Sequence, residues 1–228
     1  MIILKGTNIG IQANGRWLYQ AVNFQLEQQH ILALLGENGV GKTTLIQTMM
    51  GERTLDQGSL TWEQAGLQIA YVPQYRNDVN QFPLTITEYV KLNFDTGWQP
   101  WLTQGEQAWL KQVLAATALT ELAHQRIDQA SGGERQRAYL AQALVKKPDV
   151  LILDEATANL DAAAKFQFMD VLQQYQKKHT LSIIMVSHDA EIVDRYADDY
   201  LLIQHHQGRF GHYQHQTQHP LLAEVENV

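Results

Sequence analysis

Short apolar runs alternate along this chain with segments whose apolar residues recur at helical spacing. The runs at 31–35, 150–153 and 181–186 are bounded by polar residues and too short for helices. Each therefore reads as a strand buried on both faces. A helix over 162–176 separates the last two, and strand alternating with helix calls for a parallel sheet with crossover helices, an α/β fold. Residues 2–35 read as short strands turning at Asn14-Gly15 and Gln28-Gln29, a small antiparallel sheet. Gln57-Gly58-Ser59 reads as a turn, followed by strands over 60–62 and 68–72. Positions 86–94, 106–118 and 133–145 then show helical periodicity, an inserted helical region within about 75–148. Past 204, His, Gln and Gly dominate, which reads as edge strands and then a mobile tail. The expected units are 1–204 and a His/Gln-rich segment, 205–228.

Composition narrows the function. At 228 residues the chain fits one domain with a sizeable core. A formal charge of −7 and a pI near 5.7 argue against nucleic acid as partner, because phosphate backbones are held by clustered Lys and Arg. With no cysteine, disulfides, thiolate metal sites and thiol catalysis are excluded. No apolar run is long enough to span a bilayer, and residues 1–6 lack a signal-peptide layout. The expectation is a chain soluble by itself and cytoplasmic.

The most informative segment is Gly36-Glu37-Asn38-Gly39-Val40-Gly41-Lys42-Thr43, which fits G-x-x-x-x-G-K-[ST]. Glycines let backbone wrap a phosphate, with several φ values positive. Consecutive N–H groups then form an anion nest at the start of a helix that Thr43 and Thr44 open. Lys42 would reach the β- and γ-phosphates, and the Thr43 hydroxyl would hold Mg²⁺. Further on, Val150–Asp154 is followed by Glu155, so a buried strand delivers two carboxylates to the crevice beyond its carboxyl end. Asp154 would orient Mg²⁺ or its water shell, and Glu155 would polarise the water attacking the γ-phosphate. Ser131-Gly132-Gly133-Glu134 is a second nest opening a helix. It suits a phosphate, and it also suits an ordinary capping box between Ser131 and Glu134. Two nests in one chain imply either two nucleotides or one nucleotide sandwiched between two copies.

The ordered set is the Gly36–Thr43 loop, Gln74 after Tyr71-Val72-Pro73, Ser131–Gln136, Leu151–Glu155, Ala158-Asn159-Leu160-Asp161 and His188 in Val186-Ser187-His188-Asp189. It closely resembles the nucleotide-binding domain of ATP-binding-cassette (ABC) proteins, over about residues 1–204. The resemblance implies a P-loop NTPase (RecA-like) core with an N-terminal antiparallel β-subdomain and an inserted α-helical subdomain. It implies ATP and Mg²⁺ as cofactors, and a head-to-tail dimer of the cassette with itself or a paralogue. Gly36, Asn38, Gly39, Gly41, Lys42, Thr43 and Thr44 would bind the phosphates. Ser131, Gly132 and Gly133 would present the second nest to the ATP of the other subunit. Gln74 would meet Mg²⁺ and the attacking water, Asp161 would lie in the loop crossing the interface, and His188 would contact the γ-phosphate.

Some positions depart from the family pattern. Ala130 stands where Leu is usual and Ala156 where many members carry Pro. The adenine-stacking aromatic falls near Ala13 by spacing, so that role is open, with Trp17 or Tyr19 serving only if the loop is shifted. Lacking membrane segments, such a cassette implies separate integral permease subunits and an extracytoplasmic solute-binding protein, with the ATPase at the cytoplasmic face of the inner membrane. The stretches 71–74 and 82–85 resemble those of zinc and manganese importers, and also those serving iron chelates. The alternative is a soluble ABC ATPase acting on a macromolecular partner. His205, His206, His212, His215 and His219 suggest a metal-responsive tail, set against a polar end that binds nothing.

Overall fold

The computed structural model describes residues 1–73, 83–94, 101–158 and 160–213. In chain order its elements are β1 (Ile2–Ala13), β2 (Arg16–Glu27), β3 (Ile31–Gly36), α1 (Lys42–Met49), β4 (Gln57–Trp62), β5 (Ile69–Val72), α2 (Ile86–Lys91), α3 (Gln104–Ala116), α4 (Gly132–Leu144), β6 (Val150–Asp154), α5 (Ala162–Lys178), β7 (Ser182–Val186), α6 (Ala190–Tyr196), β8 (Asp199–Gln204) and β9 (Gln207–His212).

The N-terminal strands are not short: β1 and β2 each run 12 residues as one hairpin closed at Asn14-Gly15. Asn14 and Gly15 have φ of 51° and 73°, the left-handed pair that a tight hairpin turn needs. Length is reconciled with curvature by irregularities in the register near Gly6–Gln12. The expected turn at Gln57-Gly58-Ser59 is instead the start of β4, which pairs with β1 to give the order β2-β1-β4. Gly58 explains the misreading. Its φ is 80°, and a Cβ there would lie 2.2 Å from the Asn8 carbonyl oxygen, so it marks a bulge where two backbones meet.

The second sheet has the order β5-β6-β7-β3-β8-β9, parallel except for the β8–β9 pair. Strands β3, β6 and β7 are buried along their whole length. Alternate residues serve opposite cores. Ile31, Ala33 and Leu35 of β3 join Leu151, Leu153, Ile183 and Met185 against the helices. Leu32 and Leu34 join Val150, Ile152, Ile184 and Val186 against α1 and the antiparallel sheet. Each such Leu or Ile contributes about 1.5–3 kcal/mol relative to exposure, which is why continuous apolar runs fix these strands at the centre.

Helix starts follow local capping chemistry. Thr85 with Glu88, Thr103 with Glu106 and Ser131 with Glu134 form complete capping boxes, so α3 and α4 begin one or two residues earlier than apolar spacing alone indicates. The sheet also continues past 204, since β9 pairs with β8 along its length around a turn at His205-His206. That turn docks on the first sheet, where Gln20 N–H donates to the His206 carbonyl at 3.0 Å. Among the described residues no helix is long and apolar enough to cross a membrane.

Candidate functional site: a phosphate loop beside two carboxylates

The loop after β3 is built around three glycines. Gly36, Gly39 and Gly41 have φ of 142°, 82° and 105°. A Cβ on Gly36 would lie 2.4 Å from the Ile203 carbonyl oxygen, and one on Gly41 2.9 Å from Leu18 and 3.0 Å from Tyr19. The loop is thus pinned between β8 and β2, and only backbone without side chains fits there. Helix α1 begins at Lys42 behind Gly41, which offers no side-chain cap. Its first N–H groups are left for an anion, where the helix dipole also favours negative charge.

Lys42 is buried and folded back into the loop, its Nζ donating to the carbonyls of Gly36 at 2.6 Å and Glu37 at 2.9 Å. Burial lowers the pKa of its ammonium, opposed by the nearby carboxylates of Glu155 and Asp154. Asn38, Gly39 and Thr43 are exposed, and Thr44 is half-buried.

Asp154 ends β6 on the same face of the sheet as Val150 and Ile152, the face that packs α1. Burial raises its carboxyl pKa; the Tyr71 hydroxyl lowers it by donating to Oδ2 at 2.9 Å, Glu155 adds repulsion and Lys42 opposes it. Glu155 follows with φ of 47°, an unusual value for a residue with a side chain, stabilised by its N–H donating to the Val186 carbonyl at 3.2 Å. His188 Nε2 lies 3.4 Å from Glu155 Oε1. The two line a cavity of about 410 Å³ together with Thr157, Lys165, Ser187 and Asp189. Strained backbone at a carboxylate facing a cavity is where strain is found at functional sites.

The structure therefore brings Lys42, Asp154, Glu155 and His188 together at the carboxyl ends of β3, β6 and β7. Other expected residues lie apart from this group. Ser131 caps α4, its Oγ accepting from Glu134 N–H at 3.3 Å, with Gly132 and Gly133 in the first turn behind it. Asp161 caps α5, Oδ1 accepting from Ala164 N–H at 2.8 Å. Gln74, expected to meet Mg²⁺ and water, lies outside the described residues, as do His215 and His219. Trp17 packs over Gly10 in the antiparallel sheet. Among the described residues no cluster of three or more His, Cys, Asp or Glu could hold a metal ion. His206 bonds the Leu18 carbonyl at 3.1 Å, and His212 bonds Asp199.

Two contacts of the site escaped the reading of the sequence. Tyr71 was visible only as the residue before Val72-Pro73-Gln74. Lys165, one turn into α5, reaches the Asp189 carboxylate at 2.7 Å and ties that helix to the residue after His188. A Lys four residues after the helix-capping Asp161 was the available signal, but its partner is 24 residues away and on another element.

A family model described as ABC transporter matches residues 19–158. The zinc import ATP-binding protein ZnuC of Buchnera aphidicola subsp. Baizongia pistaciae is 31% identical over 205 residues, covering 90% of this chain and 82% of that protein. ZnuC of Rhizobium meliloti is 33% identical, again over 90% of this chain but 65% of the relative. Among solved structures, one described as an inward-facing metal-chelate type ABC transporter is 25% identical, with a TM-score of 0.86 over 100% of this chain and 90% of that one. A nucleotide-free cassette from an ABC transporter is 19% identical and has a TM-score of 0.82, which bears on the fold alone. The chain belongs to the ABC transporter family, and its P-loop core with antiparallel and helical additions is the fold of that family's ATP-binding cassette.

Proposed function

We propose that this chain is the ATP-binding and ATP-hydrolysing subunit of a metal importer. The carrying observation is the convergence of the glycine loop, Lys42, Asp154, Glu155 and His188 at one end of the parallel sheet. The names of the zinc import relatives favour zinc, or a chemically similar divalent metal, as cargo. The subunit is peripheral, at the cytoplasmic face of the inner membrane, and works with separate permease subunits and an extracytoplasmic solute-binding protein. A groove of about 780 Å³ between α2 and α3, with Leu92 and Trp101 exposed beside it, is the face we assign to the permease.

The residues present fit ATP with Mg²⁺. The loop turns through three glycines of positive φ, two of them backed directly by β8 and β2, and α1 opens without a side-chain cap, which leaves its first N–H groups for an anion. Thr43, Asp154 and Gln74 would hold Mg²⁺, which when bound neutralises phosphate charge. Lys42 leaves the carbonyls of Gly36 and Glu37 for the phosphates, a charge-assisted contact replacing two neutral acceptors. Glu155 takes the proton of the attacking water, and His188 contacts the γ-phosphate from the adjacent turn after β7. Ser131, Gly132 and Gly133 close on the ATP held by the other copy, and Asp161 lies along that interface. The γ-phosphate biases the dimer between closed and open.

A tagged Glu155→Gln chain purified from gently solubilised membranes tests the proposal. Stoichiometric recovery of an integral membrane protein is expected. Recovery from the soluble fraction alone, with ribosomes or other soluble assemblies attached, would overturn it.

A further inference from the structure

We infer that Tyr71 is a positioning residue for the Mg²⁺ site, holding Asp154 by one oxygen so that the other faces the cation. The inference rests on the reading of Asp154 as an Mg²⁺-orienting carboxylate.

The geometry begins in the register of the sheet. Tyr71 of β5 pairs with Ile152 of β6. Tyr71 packs against the same core as Ile152, on the face where Asp154 also emerges two residues further along. A tyrosine is long enough to reach that diagonal neighbour, and its hydroxyl donates to Asp154 Oδ2 at 2.9 Å. Asp154 is only 8% exposed, so its orientation is set mainly by protein partners. An ionised carboxylate has two oxygens able to accept or to ligate. With Oδ2 committed to Tyr71, Oδ1 is the one presented, and rotation about the last side-chain bond would break the hydrogen bond. Outer partners of this kind orient ligands, and their loss typically weakens metal affinity about 10–100-fold.

The position of Tyr71 gives the contact a second consequence. Val72 ends β5, and Gln74 follows two residues later. The hydroxyl thus ties the carboxyl end of β5 to the carboxyl end of β6. Phe at 71 would keep the ring and remove the hydroxyl that holds Asp154.

The test is binding without turnover, using the full chain and the non-hydrolysable analogue AMP-PNP, alone and with Mn²⁺ as a spectroscopic substitute for Mg²⁺. Tyr71→Phe is expected to bind Mn²⁺–AMP-PNP about 10–100-fold more weakly, with the affinity for metal-free AMP-PNP unchanged and the melting temperature of the free protein lowered modestly, because Asp154 Oδ2 loses its hydroxyl partner. Asp154→Ala separates the two layers of the argument. It should lose metal-dependent affinity by itself, and adding Tyr71→Phe to it should cost nothing more. If Asp154→Ala loses that affinity while Tyr71→Phe keeps it, the positioning role is wrong and the Mg²⁺ assignment stands. If Asp154→Ala also keeps it, the underlying reading of the site falls with the inference. An equal loss from Tyr71→Phe in both backgrounds would mean that Tyr71 acts elsewhere than through Asp154.

Discussion

His188 Nε2 lies 3.4 Å from Glu155 Oε1, although the two residues follow different strands and are 33 positions apart in the chain. Register brings them together: Asp154 of β6 pairs with Val186 of β7, so each next turn lies over the same crevice. The Glu155 backbone bonds the Val186 carbonyl, which fixes the carboxylate at φ 47° above the strand ends. Glu155→Gln keeps that backbone contact and the shape of the side chain while removing the carboxylate proposed as the base. Turnover should fall about 10²–10⁴-fold, with ATP binding and dimerisation retained. Steady-state hydrolysis and size-exclusion chromatography with ATP measure both.

Lys42→Ala is expected to fail earlier, at binding. The ammonium now donates to the Gly36 and Glu37 carbonyls and must exchange these for phosphate oxygens. Hydrogen bonds to charged groups contribute about 1.5–3 kcal/mol, so ATP affinity should drop roughly 10–150-fold. The melting temperature without nucleotide should change little, because the two carbonyls lie at a loop that water can reach once the side chain is gone. Titration calorimetry and thermal denaturation separate these outcomes.

Gly41 and Gly39 make a controlled pair. Both have positive φ, 105° and 82°, but a Cβ on Gly41 would press on Leu18 and Tyr19, whereas one on Gly39 meets nothing within 4 Å. Gly39→Ala should cost about 1–2 kcal/mol from left-handed backbone alone. Gly41→Ala should cost more, since the Leu18 and Tyr19 side chains must also give way, and its ATP binding should be lost along with its stability. Chemical denaturation of the two variants reads the difference directly; equal losses would remove Leu18 and Tyr19 from the support of the loop.

The Lys165–Asp189 ion pair predicts an acid limit for the His188 turn. Burial raises the Asp189 carboxyl pKa, but the hydrogen bonds from Lys165 and from the Ile192 and Glu191 backbone win, and it is held below the ordinary aspartate range. A depressed folded pKa means the stabilisation is fully present above the unfolded value, about 3.9. It is lost as the pH falls through the lower folded value. Lys165→Met should therefore destabilise by about 0.3–1 kcal/mol near neutrality, and the gap from the parent should close in acid. Denaturation midpoints from pH 7 downward provide the check.

The parallel core and the end of the sheet that carries the candidate site were legible because their physics is local. Continuous apolar runs such as Ile31–Gly36 and Val150–Asp154 have only one way to be buried, and the carboxylates follow directly in sequence. What the sequence concealed depends on partners far along the chain. The bulge at Gly58 is set by the carbonyls of Thr7 and Asn8, and the role of Tyr71 by a residue 83 positions later. The Ser131 hydroxyl illustrates a genuine ambiguity. Within one chain it completes a capping box, and that same geometry leaves the helix start facing outward.

His30 and His212 pose the last prediction, on a residue that no motif marked. Asp199 is fully buried at the head of β8, between β3 and β9, and both imidazoles engage it. His30 Nδ1 lies 2.8 Å from Oδ2, and His212 Nδ1 meets Oδ1. Each carboxyl oxygen thus has its own imidazole partner. His30→Leu and His212→Leu should each destabilise, and the double replacement should leave the buried Asp199 carboxyl without either imidazole partner, at a cost of about 1–3 kcal/mol. The double variant should exceed the sum of the single losses, because one remaining imidazole can still serve the carboxylate. Adding Asp199→Asn to the double variant should recover much of the loss, as a neutral amide has less to forfeit on burial. A double-mutant cycle by chemical denaturation decides it, and strict additivity without rescue by Asn would mean that the two histidines act by packing and not by compensating Asp199.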